Sequence, residues 1–218
     1  MGGWYKRPMD LAVLTVTHVA LAPVWLALWT VIPLMIWLED RGPIFYGQPR
    51  AGRGGTTFSY RKFRTMVVDA DKIGPVYTTD DDPRITRIGR FLRRTAMDEL
   101  PGLLSIWRGD MSLVGPRALP YAEQRILEEQ IPGFADRLGV TPGLTGLSQV
   151  YNPEDENNRK LELDRRYAAT MSPWLDARLI VLSVLNTLLA RWDTRSAKER
   201  QAPSETADVG PSTNDDDS

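Results

Sequence analysis

The sequence contains no cysteine and only one histidine, His18. The absence of cysteine excludes disulfide bonds, thiolate zinc sites and cysteine nucleophiles. A single histidine excludes metal sites built from several histidines. His18 lies in an apolar segment far from the polar motifs, and this location disfavours a Ser-His-Asp triad. Any catalysis by this chain therefore depends on carboxylates, arginines, lysines, backbone amides or a hard metal ion.

Charged residues are missing from the segment 11–38. A transmembrane helix needs roughly 20 apolar residues, so this segment is long enough to span a membrane, and it is too long for a cleaved signal peptide. Pro23 divides it into arms of about 12 to 15 residues, or about 18 to 22 Å of helix. Each arm is thus shorter than a hydrocarbon core of about 30 Å.

Lysines and arginines flank both ends of this apolar segment, and the positive-inside rule places both flanks in the cytoplasm. A helix that enters the membrane, kinks at Pro23 and returns to the same face satisfies both the charge and the length arguments. We therefore predict a re-entrant membrane helix. A tilted span kinked at Pro23 and a buried core helix are the alternatives.

The net charge of −1 hides an uneven distribution along the chain. Between Arg41 and Arg94, twelve lysines or arginines stand against five aspartates, whereas residues 196–218 carry a net charge of −4. The basic region suits phosphate-bearing ligands or an anionic membrane surface; a basic surface that serves only solubility is the alternative. It is tied to a membrane segment and shows no recognisable nucleic-acid motif, so we expect no nucleic acid to bind.

The remaining patterns predict an α+β fold that is mainly helical. Strand-like pieces around a Gly-rich turn at 52–55 predict a small β-hairpin that carries Lys62 and Arg64. Apolar residues at helical spacing fill 84–108, and Trp174 to Trp192 reads as an amphipathic helix on the membrane surface or against the core. Gly and Pro at 109, 115–116 and 142–143 predict loops.

These predictions divide the chain into three parts. Residues 1–40 form the re-entrant membrane helix hairpin, and residues 41–194 form a cytosolic catalytic domain with membrane-associated amphipathic helices. Residues 195–218 are rich in Ser, Thr, Pro, Gly and Asp without apolar periodicity, which predicts a disordered tail.

An acidic pair, Asp98-Glu99, separates an arginine-rich stretch from an apolar one. Pro101 lacks an N–H and fits the first turn of a helix, which predicts a helix start near Asp98. An alternative start uses Thr95 as the N-cap, with Asp98 at capping-box spacing. Either way the carboxylates lie at a helix N-terminus, where the macrodipole favours anions. A purely structural capping role is sufficient to explain the local pattern.

The surroundings of the pair favour chemistry instead. Arg87, Arg90 and Arg94 share one helical face upstream, and the GDMSLVGPR stretch downstream predicts an anion-binding turn that ends in Arg117. Carboxylates beside phosphate-binding arginines can hold a divalent metal, and one of them can attack phosphorus. Together with the membrane segment, this pattern predicts phosphoryl chemistry on a lipid at the bilayer surface.

The ordered motifs of the chain resemble those of the small monotopic phosphoglycosyl transferases of bacteria, the bacterial sugar transferase family. The matching stretches cover most of residues 6–190 and are KRPMD, the Pro-kinked apolar segment, GPIFYGQPRAGRGG, KFRTM, DPRITRIGRFLRRTAMDELPGLLSIWRGDMSLVGPR, TPGLTG with LSQV, and LELDRRY followed by SPWLDARL. The ordered set at these spacings is highly specific. The segment 151–160 departs from the family pattern, so the family's sugar specificity is not carried over.

The resemblance implies an enzyme that transfers sugar-1-phosphate from a UDP-sugar to polyprenyl (undecaprenyl) phosphate and releases UMP. By this likeness Asp98 attacks the β-phosphate to form a phosphosugar-aspartyl intermediate, and Glu99 helps to hold Mg²⁺. Pro23 matches the proline that kinks the re-entrant helix. The basic residues implied to bind phosphate are Lys62, Arg64, Arg94 and Arg117.

The implied location is the cytoplasmic face of the bacterial inner membrane, in a monotopic arrangement, at the start of glycoconjugate or exopolysaccharide assembly. A homodimer is compatible with the sequence. Asp164 and Asp176 match family positions, with a structural and a functional role both open. Two other readings remain: a non-catalytic, membrane-anchored basic module that binds anionic lipid or a partner protein, and a metal-dependent phosphatase that uses water as the acceptor.

Overall fold

The computed structural model describes residues 3–73 and 82–188, and within them the chain is mainly helical with two small sheets. The predicted α+β class is confirmed, whereas the predicted tail at 195–218 lies outside the described residues. The α-helices are α1 (Lys6–Ala20), α2 (Ala22–Glu39), α3 (Ala70–Ile73), α4 (Arg87–Arg94), α5 (Leu103–Arg108), α6 (Tyr121–Gln130), α7 (Leu147–Tyr151), α8 (Asn157–Thr170) and α9 (Pro173–Leu188). The strands are β1 (Phe45–Ala51), β2 (Thr57–Phe63), β3 (Ser112–Val114) and β4 (Gly143–Thr145), and short 3₁₀ helices span Arg53–Gly55, Met97–Gly102 and Phe134–Gly139.

The predicted hairpin is confirmed. Strands β1 and β2 pair antiparallel, with Phe45 opposite Phe63 and Ala51 opposite Thr57. The turn between them needs glycine because Gly54 and Gly55 have φ values of 67° and 80°, a region that side chains disfavour. Strand β2 carries Lys62 near its end, as predicted.

A second sheet was not predicted. Strands β3 and β4 pair in parallel around Gly115 and Gly143, a region expected to be loop. Each strand has only three residues, too few to show an alternating pattern in sequence. The glycines permit a close backbone approach, since a Cβ on Gly143 would overlap the backbone nitrogen of Gly115.

The prediction that residues 84–108 are helical is correct, but they form separate helices rather than one. Helix α4 ends at Arg94, and Ala96 adopts a left-handed conformation with φ of 54° before a new 3₁₀ helix begins at Met97 and runs into α5. The helix N-terminus expected near Asp98 is therefore present. The capping role of Thr95 is wrong, because its hydroxyl donates back to the carbonyls of Phe91 and Leu92 instead.

The apolar segment forms two helices that meet at Leu21, two residues before Pro23, which lies in the first turn of α2. The ring of His18 in α1 stacks on Trp25 in α2, with 4.4 Å between the ring centroids. The expected length of the second arm was too short, because α2 continues through Glu39. Among the described residues, α2 is the helix that is long and apolar enough to cross a membrane, by length and composition alone.

Both outer ends of the apolar segment pack on the rest of the protein. Leu14 of α1 belongs to the central core, which also holds Ile106, Val114 and Leu179 from α5, β3 and α9. Two α2 residues are buried in a second cluster that consists of Ile32, Ile36, Phe63 and Leu92. Exposed apolar side chains run from the end of α1 through the second half of α2, and they include Val16, Val19, Leu21, Val24, Leu26, Val31, Leu34, Met35, Trp37 and Leu38.

The amphipathic helix predicted from Trp174 to Trp192 is present as α9 (Pro173–Leu188), and residues 189–192 lie outside the described residues. Leu179 is fully buried in the central core, whereas Trp174, Val181 and Val184 are exposed. This division into one packed and one exposed apolar face leaves room for both predicted roles, packing against the core and contact with a membrane surface.

Candidate active site

The acidic pair lies in the first turn of the 3₁₀ helix Met97–Gly102, here called the acid-pair helix. The residue at its N-cap position is Ala96, so neither Thr95 nor Asp98 caps it. Asp98 is buried, with 5% of its side chain exposed, whereas Glu99 keeps 24% exposed. The two neighbouring carboxylates thus have different surroundings, one enclosed and one at the surface of the site.

Lys62 reaches the acidic pair from the hairpin. Its Nζ lies 2.7 Å from Oε1 of Glu99 and 3.8 Å from Oδ2 of Asp98. The alternation of β2 explains this position, since Tyr60 and Lys62 point to the same side of the strand and Tyr60 packs against the acid-pair helix. There a Cβ on Gly102 would overlap the Tyr60 hydroxyl. The sheet face and the helix together bring the lysine to the carboxylates.

Arg117 approaches the same carboxylate from the segment after β3. Its Nη2 lies 3.9 Å from Oε1 of Glu99, and 40% of its side chain is exposed. The backbone carbonyl of Arg117 accepts a hydrogen bond from the buried side chain of Arg137 at 2.8 Å. The expected anion-binding turn is wrong at Gly115, because that N–H donates to the carbonyl of Thr145 in the β3–β4 pairing.

The electrostatics of the site favour ionised groups. Burial alone raises the pKa of Glu99, but the charges of Lys62 and Arg117 outweigh it and hold that pKa well below its usual range. Burial lowers the pKa of Arg117, whereas Glu99 and Asp155 raise it, and the net change is upward. Both side chains are therefore charged at neutral pH. Asp155 belongs to the segment 151–160, which thus lies near the site.

The other predicted phosphate-binding arginines lie elsewhere. Arg64 is buried, and its guanidinium donates to the carbonyl of Asp40 and pairs with the Asp40 carboxylate at 3.4 Å. It therefore fastens the end of α2 to the hairpin. Arg94 is exposed in the last turn of α4, on the same face as the exposed Arg87 and Arg90. The phosphate contact of Arg94 stays a prediction.

Asp164 and Asp176 are completely buried in ion pairs, which favours the structural role left open above. Asp164 binds Arg137 at 2.8 Å and accepts from the hydroxyl of Ser148. Asp176 binds Lys6 at 2.8 Å and accepts from the hydroxyls of Tyr5 and Tyr167. The second cluster joins α1 to α8 and α9.

The chemistry of the acidic pair can be tested against the predicted Mg²⁺. No group of three or more Asp, Glu or His side chains suited to a metal occurs within residues 3–73 and 82–188. Mg²⁺ commonly binds through one or two carboxylates together with substrate phosphates and water. Asp98 and Glu99 fit that donor set, whereas they do not fit a metal held by protein groups alone.

Two residues beside the site, Arg50 and Tyr60, were not predicted from the sequence. Both are buried, and the Arg50 guanidinium lies 4.4 Å from the centroid of the Tyr60 ring. Arg50 could have been noticed as a basic residue directly before the Gly-rich turn. The reading of Tyr60 as an ordinary strand residue was reasonable, because alternation alone does not show which face meets the acid-pair helix.

The structure combines a helix that is apolar and long enough to cross a membrane with a carboxylate pair that contacts lysine and arginine. Comparison with known proteins identifies the family. A family model described as bacterial sugar transferase matches residues 1–190. Over 198 residues the chain is 38% identical to an undecaprenyl-phosphate glucose phosphotransferase of Komagataeibacter xylinus, an alignment that covers 85% of this chain and 36% of that protein. The chain belongs to the bacterial sugar transferase family.

Two further relatives act on different sugars according to their names. The chain is 35% identical to a UDP-N-acetylgalactosamine-undecaprenyl-phosphate N-acetylgalactosaminephosphotransferase of Aeromonas hydrophila, with 87% of this chain and 45% of that protein covered. It is 36% identical to a UDP-glucose:undecaprenyl-phosphate glucose-1-phosphate transferase of Caulobacter vibrioides, with 84% and 69% covered. The chain thus spans less than half the length of the first two relatives and about two thirds of the third.

Proposed function

We propose that the protein is a phosphoglycosyl transferase that moves sugar-1-phosphate from a UDP-sugar to undecaprenyl phosphate, releases UMP and starts the assembly of a bacterial glycan. The observation that carries the proposal is the contact of Lys62 and Arg117 with Glu99, directly beside the buried Asp98. Family membership and the names of the relatives support the substrate classes.

The proposed reaction has two displacements at one phosphorus atom. In the first, a carboxylate oxygen of Asp98 bonds to the β-phosphorus as the bond to the bridging oxygen breaks, and that oxygen leaves with its electron pair as part of UMP. In the second, a phosphate oxygen of undecaprenyl phosphate bonds to the same phosphorus, and the carboxylate of Asp98 leaves. The product is an undecaprenyl diphosphate sugar, and Asp98 is regenerated.

The two cations have a clear electrostatic task in this scheme. An anionic nucleophile and an anionic diphosphate repel each other, and fixed positive charges lower that barrier. Lys62 and Arg117 are held near Glu99 before substrate arrives, so little reorganisation is needed. Glu99 would also help to hold Mg²⁺, which when bound supplies further positive charge to the diphosphate.

A UMP-release assay tests this function. The full chain would be placed in nanodiscs with undecaprenyl phosphate and Mg²⁺ and screened across UDP-sugars. We expect UMP release that requires the lipid, and a loss on the order of 10³-fold or more in Asp98→Asn. Asp136→Asn, at an exposed aspartate, is the matched control and should keep wild-type turnover.

The outcomes separate the alternatives. Without the lipid acceptor, the proposed intermediate accounts for at most one UMP per protein, so repeated UMP turnover without the lipid would indicate a phosphatase. Salt-sensitive vesicle binding with no turnover of any UDP-sugar would indicate a non-catalytic module. Without acceptor, the wild-type peptide that contains Asp98 should gain the mass of the sugar phosphate. Near-normal turnover in Asp98→Asn would remove Asp98 as the nucleophile.

We also propose the monotopic arrangement on the cytoplasmic face. The support is that both ends of the apolar segment bind the same domain, through Lys6 to Asp176 and through Glu39, whose carboxylate accepts from the N–H groups of Arg87 and Ile88. A domain on one side of the membrane can hold both ends only if the segment returns. Labels at the N-terminus and near residue 200 should both be accessible from the cytoplasm, and labels on opposite sides would establish a span.

A further inference from the structure

Arg50 differs from the other buried arginines of the described residues. Arg64, Arg84 and Arg137 each form an ion pair with an aspartate, to Asp40, Asp82 and Asp164 respectively. Arg50, which is only 7% exposed, has no such pair within the described part of the chain. Its buried Nε makes no hydrogen bond there, a feature that it shares with Arg64. Its contacts are the Tyr60 ring, 4.4 Å from its guanidinium carbon, and the carbonyl of Ala118, which accepts from Nη1 at 2.7 Å.

This arrangement is unfavourable for the isolated protein. A buried cation loses its hydration, and one carbonyl and one aromatic ring offset only part of that loss. Burial and the positive charge of Arg117 lower the pKa of Arg50, and the charges of Glu99 and Glu123 offset only part of that change. An arginine nevertheless stays protonated in a protein. The fold therefore keeps a full positive charge, with a free buried donor, where a neutral side chain of the same size would be more stable.

The place of this charge is informative. Arg50 covers one face of Tyr60, and the Tyr60 hydroxyl packs on the backbone of Gly102 in the acid-pair helix. Lys62 lies 6.0 Å from the centroid of the same ring. The carbonyl that Arg50 binds belongs to Ala118, the residue after Arg117. Arg50 thus contacts the ring that Lys62 also approaches and the residue that follows Arg117.

We propose that Arg50 is a phosphate-binding residue of this site, whose missing counter-charge is supplied by a substrate. The shared chemistry is a phosphate oxygen that accepts from the guanidinium, and it can come from the diphosphate of the nucleotide sugar or from the phosphate of the lipid acceptor. The inference rests on the proposed function and adds a third cation to Lys62 and Arg117.

The test compares binding with stability in the full chain in nanodiscs. The variant is Arg50→Met, and the matched control is Arg61→Met, an exposed arginine on the paired strand β2. The dissociation constants for inorganic diphosphate and for undecaprenyl phosphate are measured separately, together with the thermal midpoint of the unliganded protein. We expect Arg50→Met to bind at least one of the two about tenfold more weakly or worse, with an unchanged or raised midpoint. The control should match the wild type in all three measurements.

The affinities decide the outcome. Weaker binding of diphosphate alone assigns Arg50 to the nucleotide, and weaker binding of the lipid alone assigns it to the acceptor. Unchanged affinities for both would overturn the proposal, and a lowered midpoint would then make Arg50 a packing residue. If Arg50→Met does not fold, the same two dissociation constants are measured for Arg50→Gln. This variant is neutral but can still donate to the Ala118 carbonyl.

Different results would reject the role of Arg50 and the proposed function. A wild-type chain that binds neither phosphate ligand and releases no UMP from any UDP-sugar would reject the transferase function itself. A wild-type chain that does both, beside an Arg50→Met variant with wild-type affinities, would reject only the role of Arg50.

Discussion

Two clusters of basic and acidic side chains in this protein have different roles. In the Arg137–Asp164 cluster, both charged side chains are almost fully buried and Gln124 and Ser148 supply further hydrogen bonds. In the acid-pair cluster, the side chains of Lys62, Glu99 and Arg117 are 22%, 24% and 40% exposed. The first is closed and fully hydrogen-bonded, whereas the second is open, with Lys62 and Arg117 beside the two carboxylates.

Burial and hydrogen bonding distinguish an ion pair that only holds the fold together from one that can bind a ligand. A closed, fully hydrogen-bonded pair has no capacity left for a ligand, so its contribution is to hold elements together. An open cluster keeps its cations accessible to solvent, so Lys62 and Arg117 can still contact an anionic ligand. The two clusters also touch, because Arg137 holds the backbone carbonyl of Arg117.

The largest expected effect on stability comes from the closed cluster. Asp164→Asn would leave the buried Arg137 without its counter-charge, which we expect to lower the free energy of unfolding by about 3 to 5 kcal/mol. The measurement is denaturant unfolding of the full chain in detergent, with Asp136→Asn as the matched control. Asp136 pairs with Arg165 at the surface, and the loss of such a pair is worth about 1 kcal/mol or less. Equal losses in both variants would contradict the role assigned to burial.

The open cluster should respond in the opposite way, with activity rather than stability. Lys62→Met removes a cation beside both carboxylates, and we expect turnover to fall by about 10- to 100-fold because transition-state charge is less well neutralised. The free energy of unfolding should change by about 1 kcal/mol or less, since the lysine is partly exposed. Arg61→Met, one residue earlier in β2, is the control. A large stability loss without a loss of turnover would make Lys62 a structural residue.

The smallest expected effect is a pH dependence of stability. Glu99 has its pKa lowered in the folded protein from an ordinary value of about 4.5, so the ionised form favours folding. Its contribution is fully present above about pH 4.5 and is lost as the pH falls toward the lower folded pKa. The difference in unfolding free energy between wild type and Glu99→Gln should therefore be constant near neutral pH, from about pH 6 to 8. It should become smaller at acidic pH. A difference that grew in acid would contradict the sign.

Much of the local structure was predictable because it depends on short-range patterns. The hairpin follows from strand-like residues around glycines that can adopt positive φ at 54 and 55, and the helix break follows from Pro23. The helix start at the acidic pair was predicted from Pro101, although the left-handed Ala96 that creates it was not. No local pattern marks an alanine for that conformation, which is imposed by the packing of α4 and the acid-pair helix.

The candidate site was predictable in part. Asp98, Glu99, Lys62 and Arg117 were selected by their resemblance to family motifs, and the structure brings them together. Arg64 was selected by the same resemblance, but it binds Asp40 at the end of α2. Arg50 was not selected, because its distinguishing feature is the lack of an aspartate partner, and a missing partner is visible only when every neighbour is known.

Local sequence patterns were sufficient to predict the apolar segment with its break, the hairpin and the amphipathic last helix. They also predicted that the carboxylates lie in the first turn of a helix. These depend on residues a few positions apart, where backbone preference and periodicity act directly. Only the tertiary structure decided which cations meet Glu99, because Lys62 and Arg117 lie 37 and 18 residues from it and many arginines of equal charge compete. Burial then separated the ion pairs that hold the fold from the cluster that can bind an anion.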